Sequence, residues 1–385
     1  MTAPRGWTPS ASARGAVAVI DLDALRSNVA RCRQAAPTSG VMAVVKADAY
    51  GHGLVACARA AREAGATWLG VALLEEAIAL RDAGDAGPIL AWLAVPGAPW
   101  AECLAHDIDV SVAEHWALAE VCAAASVTGL RARVHLKADT GLSRNGATAA
   151  GWPALVASAR EGETAGLLEV VGMWSHLAHA DAPGHSTITH QIGVFDEAVE
   201  VARRAGLTPQ VRHLANSAAT LTLPNSHYEL VRPGIAIYGL SPGPEVGTAA
   251  DLGLRPVMSL RARLSSVKRV PGGTGVSYGH DHVTASETTL GLIPLGYADG
   301  LPRAASNVGP ILAAGRTRTV AGRVCMDQVV IDLGDDTASA GDEVVVFGGG
   351  GPSADDWARV SGTIGYEIVT RIGPRVPRVF LGVTP

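Results

Sequence analysis

Short apolar runs separated by alanine-rich stretches fill the first two-thirds of the chain. The runs at 41–46, 68–72, 89–94, 109–112, 131–138, 167–175, 211–216 and 229–237 read as strands buried on both faces. Between them, 54–65, 74–84, 115–125, 148–161 and 188–205 read as helices. Eight strands with intervening helices over about 200 residues predict an α/β fold, a (β/α)8 barrel of TIM type over 16–240. The pattern alone leaves a doubly wound sheet open. Residues 240–250, Leu-Ser-Pro-Gly-Pro-Glu-Val-Gly-Thr-Ala-Ala, read as a connector. Beyond it, shorter alternating stretches at 257–268, 288–295, 318–324, 328–333 and 343–347 are divided by Pro-Gly-Gly, Asn-x-Gly and Gly-Asp turns. They predict a mainly-β C-terminal domain over 250–385. Strand 16–21 is a candidate to join that domain. Residues 1–15 read as a loose N-terminal arm.

Composition narrows the class. A chain of 385 residues, 48% hydrophobic and 17% charged, accommodates a barrel plus a second domain with a large core. A net charge of −5 argues against a nucleic-acid surface. No apolar run is long enough to span a membrane, and the arm lacks the apolar segment of a signal peptide. The five cysteines, Cys32, Cys57, Cys103, Cys122 and Cys325, are widely spaced and form no C-x-x-C pair. Buried, reduced thiols in a cytoplasmic protein are the expectation.

Candidate chemistry begins at Val44–Gly53. An apolar run delivers Lys46 to the tip of a buried strand, with Tyr50 four residues on and Gly51 and Gly53 permitting a sharp turn. Burial lowers the pKa of an amine and exposes its lone pair, which suits imine formation with an aldehyde such as pyridoxal 5′-phosphate (PLP). Gly51-x-Gly53-x-x-Ala56, with Glu75 and Glu76 downstream, imitates a dinucleotide fingerprint. That motif wants its first glycine at the strand end, where this chain has Lys46. The histidines His176, His179, His185 and His190 fit no standard zinc spacing, so no metal is expected.

Chemistry in such barrels sits at the C-terminal strand ends. Unusual polar residues converge there: Lys46 after the first barrel strand, then Lys137, Asp139, Thr140 and Arg144 after the fifth. His176 follows the sixth, His213, Asn216 and Ser217 the seventh, and Arg232 and Gly234 lie on the eighth. Asp139-Thr140-Gly141 also reads as a helix N-cap.

Val44–Gly53 resembles the PLP-attachment signature of the alanine racemase family, fold-type III PLP enzymes. Lys137-Ala-Asp-Thr-Gly-Leu-Ser-Arg144, His213-Leu-Ala-Asn216-Ser217, Arg232-Pro-Gly-Ile235, Val276-Ser-Tyr278-Gly and Gly296-Tyr297-Ala-Asp-Gly match as well. Arg323-Val-Cys-Met326-Asp327, Tyr366-Glu and Arg375-Val-Pro-Arg378 complete the order. The likeness runs from about residue 16 to 382. Leu142 stands where methionine is common, and Gly373-Pro374 where the family often has Ser-Tyr.

The resemblance implies a homodimer with shared active sites that interconverts L- and D-alanine and supplies D-alanine for peptidoglycan. Lys46 would hold PLP as an imine and act as one base. Tyr278 of the partner subunit would be the other, with His176 supplying it a hydrogen bond. Arg232, oriented by His213, would face the pyridine nitrogen. Tyr50, Ser217 and Tyr366, with the backbone of Gly234 and Ile235 and with Asn216 close by, would hold the phosphate. Arg144, Tyr297 and Met326 would bind substrate, with Lys137, open to carbamylation, and Asp327 in support. A fold-type III basic amino-acid decarboxylase and a non-catalytic PLP-carrier protein are the alternatives.

Overall fold

The computed structural model describes residues 15–383. The expected N-terminal arm therefore lies, except for Gly15, outside the described residues. The first strand, β1 (Ala16–Asp21), ends at Asp21, whose carboxylate accepts from Ala24 N–H and caps a helix over Leu22–Ala35. Eight parallel strands follow: β2 (Gly40–Val44), β3 (Trp68–Leu73), β4 (Ile89–Leu93), β5 (Asp109–Val112), β6 (Ala132–Lys137), β7 (Leu168–Trp174), β8 (Val211–His213) and β9 (Leu230–Val231). They pair in the order β8-β7-β6-β5-β4-β3-β2-β9. Between β8 and β9 the near-closed barrel is bridged by Arg232 N–H donating to Ala215 C=O at 2.9 Å. Met42, Trp68, Leu90, Val171 and Leu230 pack as one cluster drawn from five strands, a contact set that a flat sheet of this order cannot make.

The last two barrel strands are shorter than the sequence predicts. The chain leaves β8 at His213 because Asn216 caps a new helix over Ser217–Thr222. It leaves β9 before Pro233, which has no N–H to give a ladder, and turns at Gly234 into a 3-10 helix over Ile235–Tyr238. The helix expected from residue 148 begins at Trp152, with Pro153 in its first turn. Asp139 is not a helix N-cap. Its carboxylate closes a local turn by accepting from Gly141 and Ser143 N–H at 3.0 and 3.1 Å.

The remainder is the mainly-β domain: β10 (Met258–Arg263), β11 (Ser266–Val270), β12 (Gly275–Val276), β13 (His282–Val283), β14 (Thr288–Ile293), β15 (Pro310–Ala313), β16 (Arg316–Thr319), β17 (Val329–Gly334), β18 (Glu343–Phe347) and β19 (Arg378–Leu381). One sheet runs β16-β15-β18-β10-β1-β19 and a second β11-β14-β17, with β12 and β13 forming a separate ribbon. The stretch read as one strand at 257–268 is two, β10 and β11, in different sheets, because the chain crosses between them at Leu264 and Ser265. Only the start of 318–324 is strand. Residues 310–319 form a hairpin instead, in register from Pro310↔Thr319 to Ala313↔Arg316. β1 lies inside the first sheet, antiparallel to β10 and parallel to β19.

Arg378, on β19, ties this domain to the barrel mouth. Its guanidinium donates to Gly51 C=O at 3.0 and 2.8 Å and also to the carbonyls of Gly373, Val376 and Ile372. No helix among the described residues is long and apolar enough to cross a membrane.

Candidate active site

Lys46 follows the end of β2 and opens an unusual turn. Ala47, Asp48, Ala49 and Tyr50 have φ of 54, 53, 53 and 54°, a full left-handed turn without glycine. Each such residue costs about 1–2 kcal/mol in backbone sterics, so the surroundings must hold it. Glu76 takes Ala47 N–H at 2.6 Å on one carboxylate oxygen and Ala72 and Leu73 N–H at 3.0 Å on the other. Asp48 caps Leu54 N–H at 2.7 Å. The buried His52 ring, drawn down to about 4 by burial and therefore neutral, spans Ala49 and Tyr50 C=O from Nδ1 at 3.0 and 2.9 Å. Gly51 lies so close to Val369 C=O that a Cβ would come within 2.5 Å of it. Ala47 is exposed, its N–H donates to Glu76, and its methyl side chain offers no polar group to the fold. Ala47→Gly is therefore expected to raise the unfolding free energy by about 0.5–1 kcal/mol, read as a small rise in melting temperature. A fall would show that the turn is not strained at this position.

The turn aims Lys46 at the barrel mouth, with Nζ 6.0 Å from the Tyr50 ring centre and 5.9 Å from that of Trp92. Burial first, then the Arg144 charge, lowers the pKa of this ammonium, while Glu76 opposes the fall. A second amine stands across the mouth. Lys137, at the end of β6, lies 4.2 Å above the Trp174 ring and is drawn down to about 7 by burial and by the charges of Arg232 and Arg144. Only three of the 31 basic residues are lysines, Lys46, Lys137 and Lys268, and two of these stand here. Apart from Lys268, arginine carries the positive charge elsewhere, whereas a nucleophilic amine is something guanidinium does not provide.

Arg232 is buried, and burial draws it down to about 9. It lies 4.9 Å from the Trp174 ring and donates to Ser175 C=O at 2.8 Å, Leu214 C=O at 3.2 Å, His176 Nδ1 at 3.2 Å and His213 Nδ1 at 3.3 Å. Burial and this cation hold both histidines well below the usual imidazole range, so both are neutral acceptors. Arg144 is exposed on the rim, where its charge reaches Lys46, Lys137 and His176.

Hydroxyl and amide groups gather around Tyr50 and Gly234. Ser217 Oγ accepts from Gly234 N–H at 2.8 Å and Ala236 N–H at 3.3 Å, and Ile235 begins the 3-10 helix between them. Asn216 spends its side-chain oxygen on Ala219 N–H at 3.1 Å. A Cβ at Gly234 would come within 2.3 Å of Tyr50 Oη, so glycine is what lets that phenol reach the backbone. The Tyr366 ring is 6.3 Å from that of Tyr50, and burial keeps both phenols protonated.

A third group of expected site residues lies on the β domain. Tyr278 sits between β12 and β13, flanked by the left-handed residues Ser277, Gly279 and His280. Ser277 Oγ donates to Arg323 C=O at 2.8 Å. Tyr297 N–H donates to Cys325 C=O at 3.0 Å, and Ala298 N–H to Met326 C=O at 2.9 Å. Asp327 pairs with Arg375 at 2.5 Å. Tyr278, Tyr297 and Met326 are 72%, 42% and 54% exposed, unusual values for large apolar side chains. Among the described residues, none of the three has a hydrogen bond, ion pair or ring contact with the mouth of its own barrel.

Sequence reasoning missed Trp174, Trp92, Glu76 as the clamp on the turn, and Gln191. The buried Gln191 amide gives Nε2–H to Thr140 Oγ1 and His176 C=O and accepts Ala178 N–H, so it fixes the loop that carries His176. A glutamine on the apolar face of 188–205 was the available signal.

A barrel followed by a mainly-β domain, with two amines, a buried guanidinium and a group of hydroxyls at the barrel mouth, defines the class as a two-domain barrel enzyme. The family model described as alanine racemase, N-terminal domain, matches residues 20–242, and that of the C-terminal domain matches 257–380. The chain belongs to the alanine racemase family of isomerases. A protein named alanine racemase from Frankia casuarinae is 57% identical over 99% of this chain and 100% of its own length. Another from Streptomyces coelicolor is 58% identical over 94% of this chain and 95% of its own. The crystal structure of alanine racemase from Streptomyces lavendulae superposes with a TM-score of 0.96 at 57% identity, covering 97% of this chain and 98% of that one.

Proposed function

We propose that this chain interconverts L- and D-alanine as a PLP-dependent homodimer with two bases at each active site. The observation that carries this reading is the division of the chemistry. One set of groups lines the barrel mouth, and a tyrosine, exposed at 72%, stands apart on the β domain. A second copy of the chain completes the site by bringing its Tyr278, Tyr297 and Met326 to that mouth. The boundaries of the reading are 16–240 for the PLP-binding barrel and 250–385 for the β domain.

The residues of the mouth fit PLP. Lys46 would hold the aldehyde carbon. Tyr50, Tyr366 and Ser217, with the Gly234 and Ile235 backbone, would donate to the phosphate, and Asn216 supports them by capping the helix that Ser217 begins. When bound, PLP supplies the electron sink that makes the Cα–H of an amino acid acidic. Arg232 would offer the ring nitrogen only donors, so it would leave that nitrogen without a proton. His213 accepts from Arg232 and holds it, and His176 would give its Nε2–H to Tyr278 of the partner subunit.

Racemisation needs proton carriers on both faces of Cα. Lys46 Nζ would take or return the proton on one face, and Tyr278 Oη would do so on the other. A single base would tend to restore the starting hand. Arg144 would bind the substrate carboxylate, and Tyr297 and Met326 would close the space beyond Cβ, with Asp327 held by Arg375 behind Met326. Lys137, its amine made nucleophilic by its lowered pKa, would add CO2 and lose a proton to give a carbamate facing Arg144. The product D-alanine would supply peptidoglycan in the cytoplasm.

Circular dichroism of L-alanine incubated with enzyme and PLP tests this reading. The signal is expected to decay to zero, with serine much slower and lysine inert. Carbon dioxide released from lysine would overturn it in favour of a decarboxylase, and an unchanged alanine signal in favour of a PLP carrier. The shared site makes a second expectation. Activity per chain should fall in step with the dimer fraction on dilution, followed by analytical ultracentrifugation. A fully active monomer would remove the partner from the mechanism.

A further inference from the structure

A line of buried polar groups runs from Arg232 away from the mouth, through the barrel interior, to the first residue of β5. His213 Nε2 lies 2.8 Å from His135 Nδ1, and His135 Nε2 lies 3.2 Å from Asp109 Oδ2. Asp109, His135, His213 and Arg232 are 1, 0, 0 and 4% exposed. Asp109 also accepts from Arg133 Nε at 2.6 Å and Nη2 at 3.3 Å. Among the described residues Arg232 touches no carboxylate, so Asp109 is the anion at the far end of its hydrogen-bond chain.

The two ends dictate every proton between them. A guanidinium has donors only and a carboxylate has acceptors only. Arg232 donates a hydrogen bond to His213 Nδ1, so that nitrogen is bare and His213 carries its hydrogen on Nε2. That hydrogen points at His135 Nδ1, which must then be bare. His135 therefore carries its hydrogen on Nε2, directed at Asp109. Reversing either ring would set two donors face to face in a site without room for water, at a cost of about 1–3 kcal/mol.

The fold makes space for this arrangement. His135 is on β6 and His213 on β8, so their link must cross β7. It does so over Gly172, the register partner of His135, where a Cβ would come within 2.2 Å of His135 Nδ1. The backbone of Gly172 is not left-handed, so glycine is required there for room. Trp68 packs edge-on against the His135 ring, and Trp174 stacks on that of His213, fixing both planes.

We infer that Asp109 is a positioning residue, which through His135 and His213 fixes the acceptor that aims Arg232 into the barrel mouth. Its consequence for the reaction rests on the proposal that Arg232 faces the pyridine nitrogen of PLP. The relay itself does not depend on that proposal.

The direct test is 15N NMR of the imidazoles in histidine-labelled, full-length holoenzyme. His135 and His213 are expected to be neutral with hydrogen on Nε2. Hydrogen on Nδ1, or an imidazolium, at either ring would overturn the relay. Two variants carry it to function. Asp109→Leu removes the acceptor, and Gly172→Ala fills the space used by the His135 ring. Each should lower kcat for alanine about tenfold, a usual scale for losing a group that orients a functional imidazole. KM and bound PLP should change little. Asp109→Asn, which keeps an acceptor for His135 while Arg133 swings to solvent, should recover most of the loss. Equal losses in the Asn and Leu variants, tracking their melting temperatures, would reduce Asp109 to a structural role. A holoenzyme with the expected rings that fails to racemise alanine would sink the functional reading and leave the relay standing. An active enzyme with other tautomers would do the reverse.

Discussion

A Lys46→Ala variant is expected to lose alanine racemisation by at least about 10⁴-fold, together with the visible absorption of bound PLP. Both losses trace to one atom. Lys46 Nζ would be the covalent anchor of the cofactor and one of the two proton carriers, and alanine offers neither. The backbone should survive the change. The left-handed turn is held by Glu76, Asp48, His52 and Arg378, none of which bonds to the lysine side chain. An unchanged melting temperature beside lost activity would separate chemistry from folding. Activity within tenfold of the parent would point to Lys137, the other mouth amine with a lowered pKa, as the anchor. Absorption spectra of Lys46→Ala and Lys137→Ala side by side decide between them.

Tyr278→Phe is expected to slow removal of the α-proton of one alanine enantiomer by about 10²–10⁴-fold, the range for loss of a general base. PLP absorption should persist, because Lys46 and the phosphate-binding groups Tyr50, Ser217 and Tyr366 are all left in place. Deuterium exchange at Cα, begun separately from L- and D-alanine, reads the asymmetry. One hand should stall far more than the other, since Lys46 still serves its own face. Equal slowing of both, with loss of bound PLP, would make Tyr278 a structural residue of the interface. The residue tolerates this test well, because its ring is exposed in the single chain and phenylalanine keeps its shape.

The barrel was legible because each of its strands is a short apolar run that must be covered on both faces. The six runs from 41–46 to 167–175 end within two residues of the observed strand ends. Where a capping residue or a proline redirects the chain, as at Asn216 and Pro233, the apolar run continued past the end of the strand and misled. The left-handed turn after Lys46 was invisible for a different reason. Ala-Asp-Ala-Tyr has no glycine to announce it, and two of the groups that hold it, Glu76 and Arg378, are distant in sequence. The hairpin at 310–319 was missed because Pro310 and the arginines of β16 do not alternate like a half-buried strand. In the relay the signal was present: Asp109 and His135 are charged or polar residues inside apolar runs. The strand-end rule drew attention to the mouth, while these two face the barrel interior.

The place of β1 has a consequence for how the chain is made. This strand is the first of the described residues to leave the ribosome, yet one of its two neighbours, β19, is nearly the last. The sheet therefore stays incomplete until β19 has been made, with one side of β1 waiting through more than 350 residues of translation. Arg378 arrives at the same moment and brings its clamp to Gly51. A nascent chain stalled before β19 would thus carry a nearly whole barrel with an unsecured mouth, so the competent site waits on a strand more than 350 residues downstream of β1.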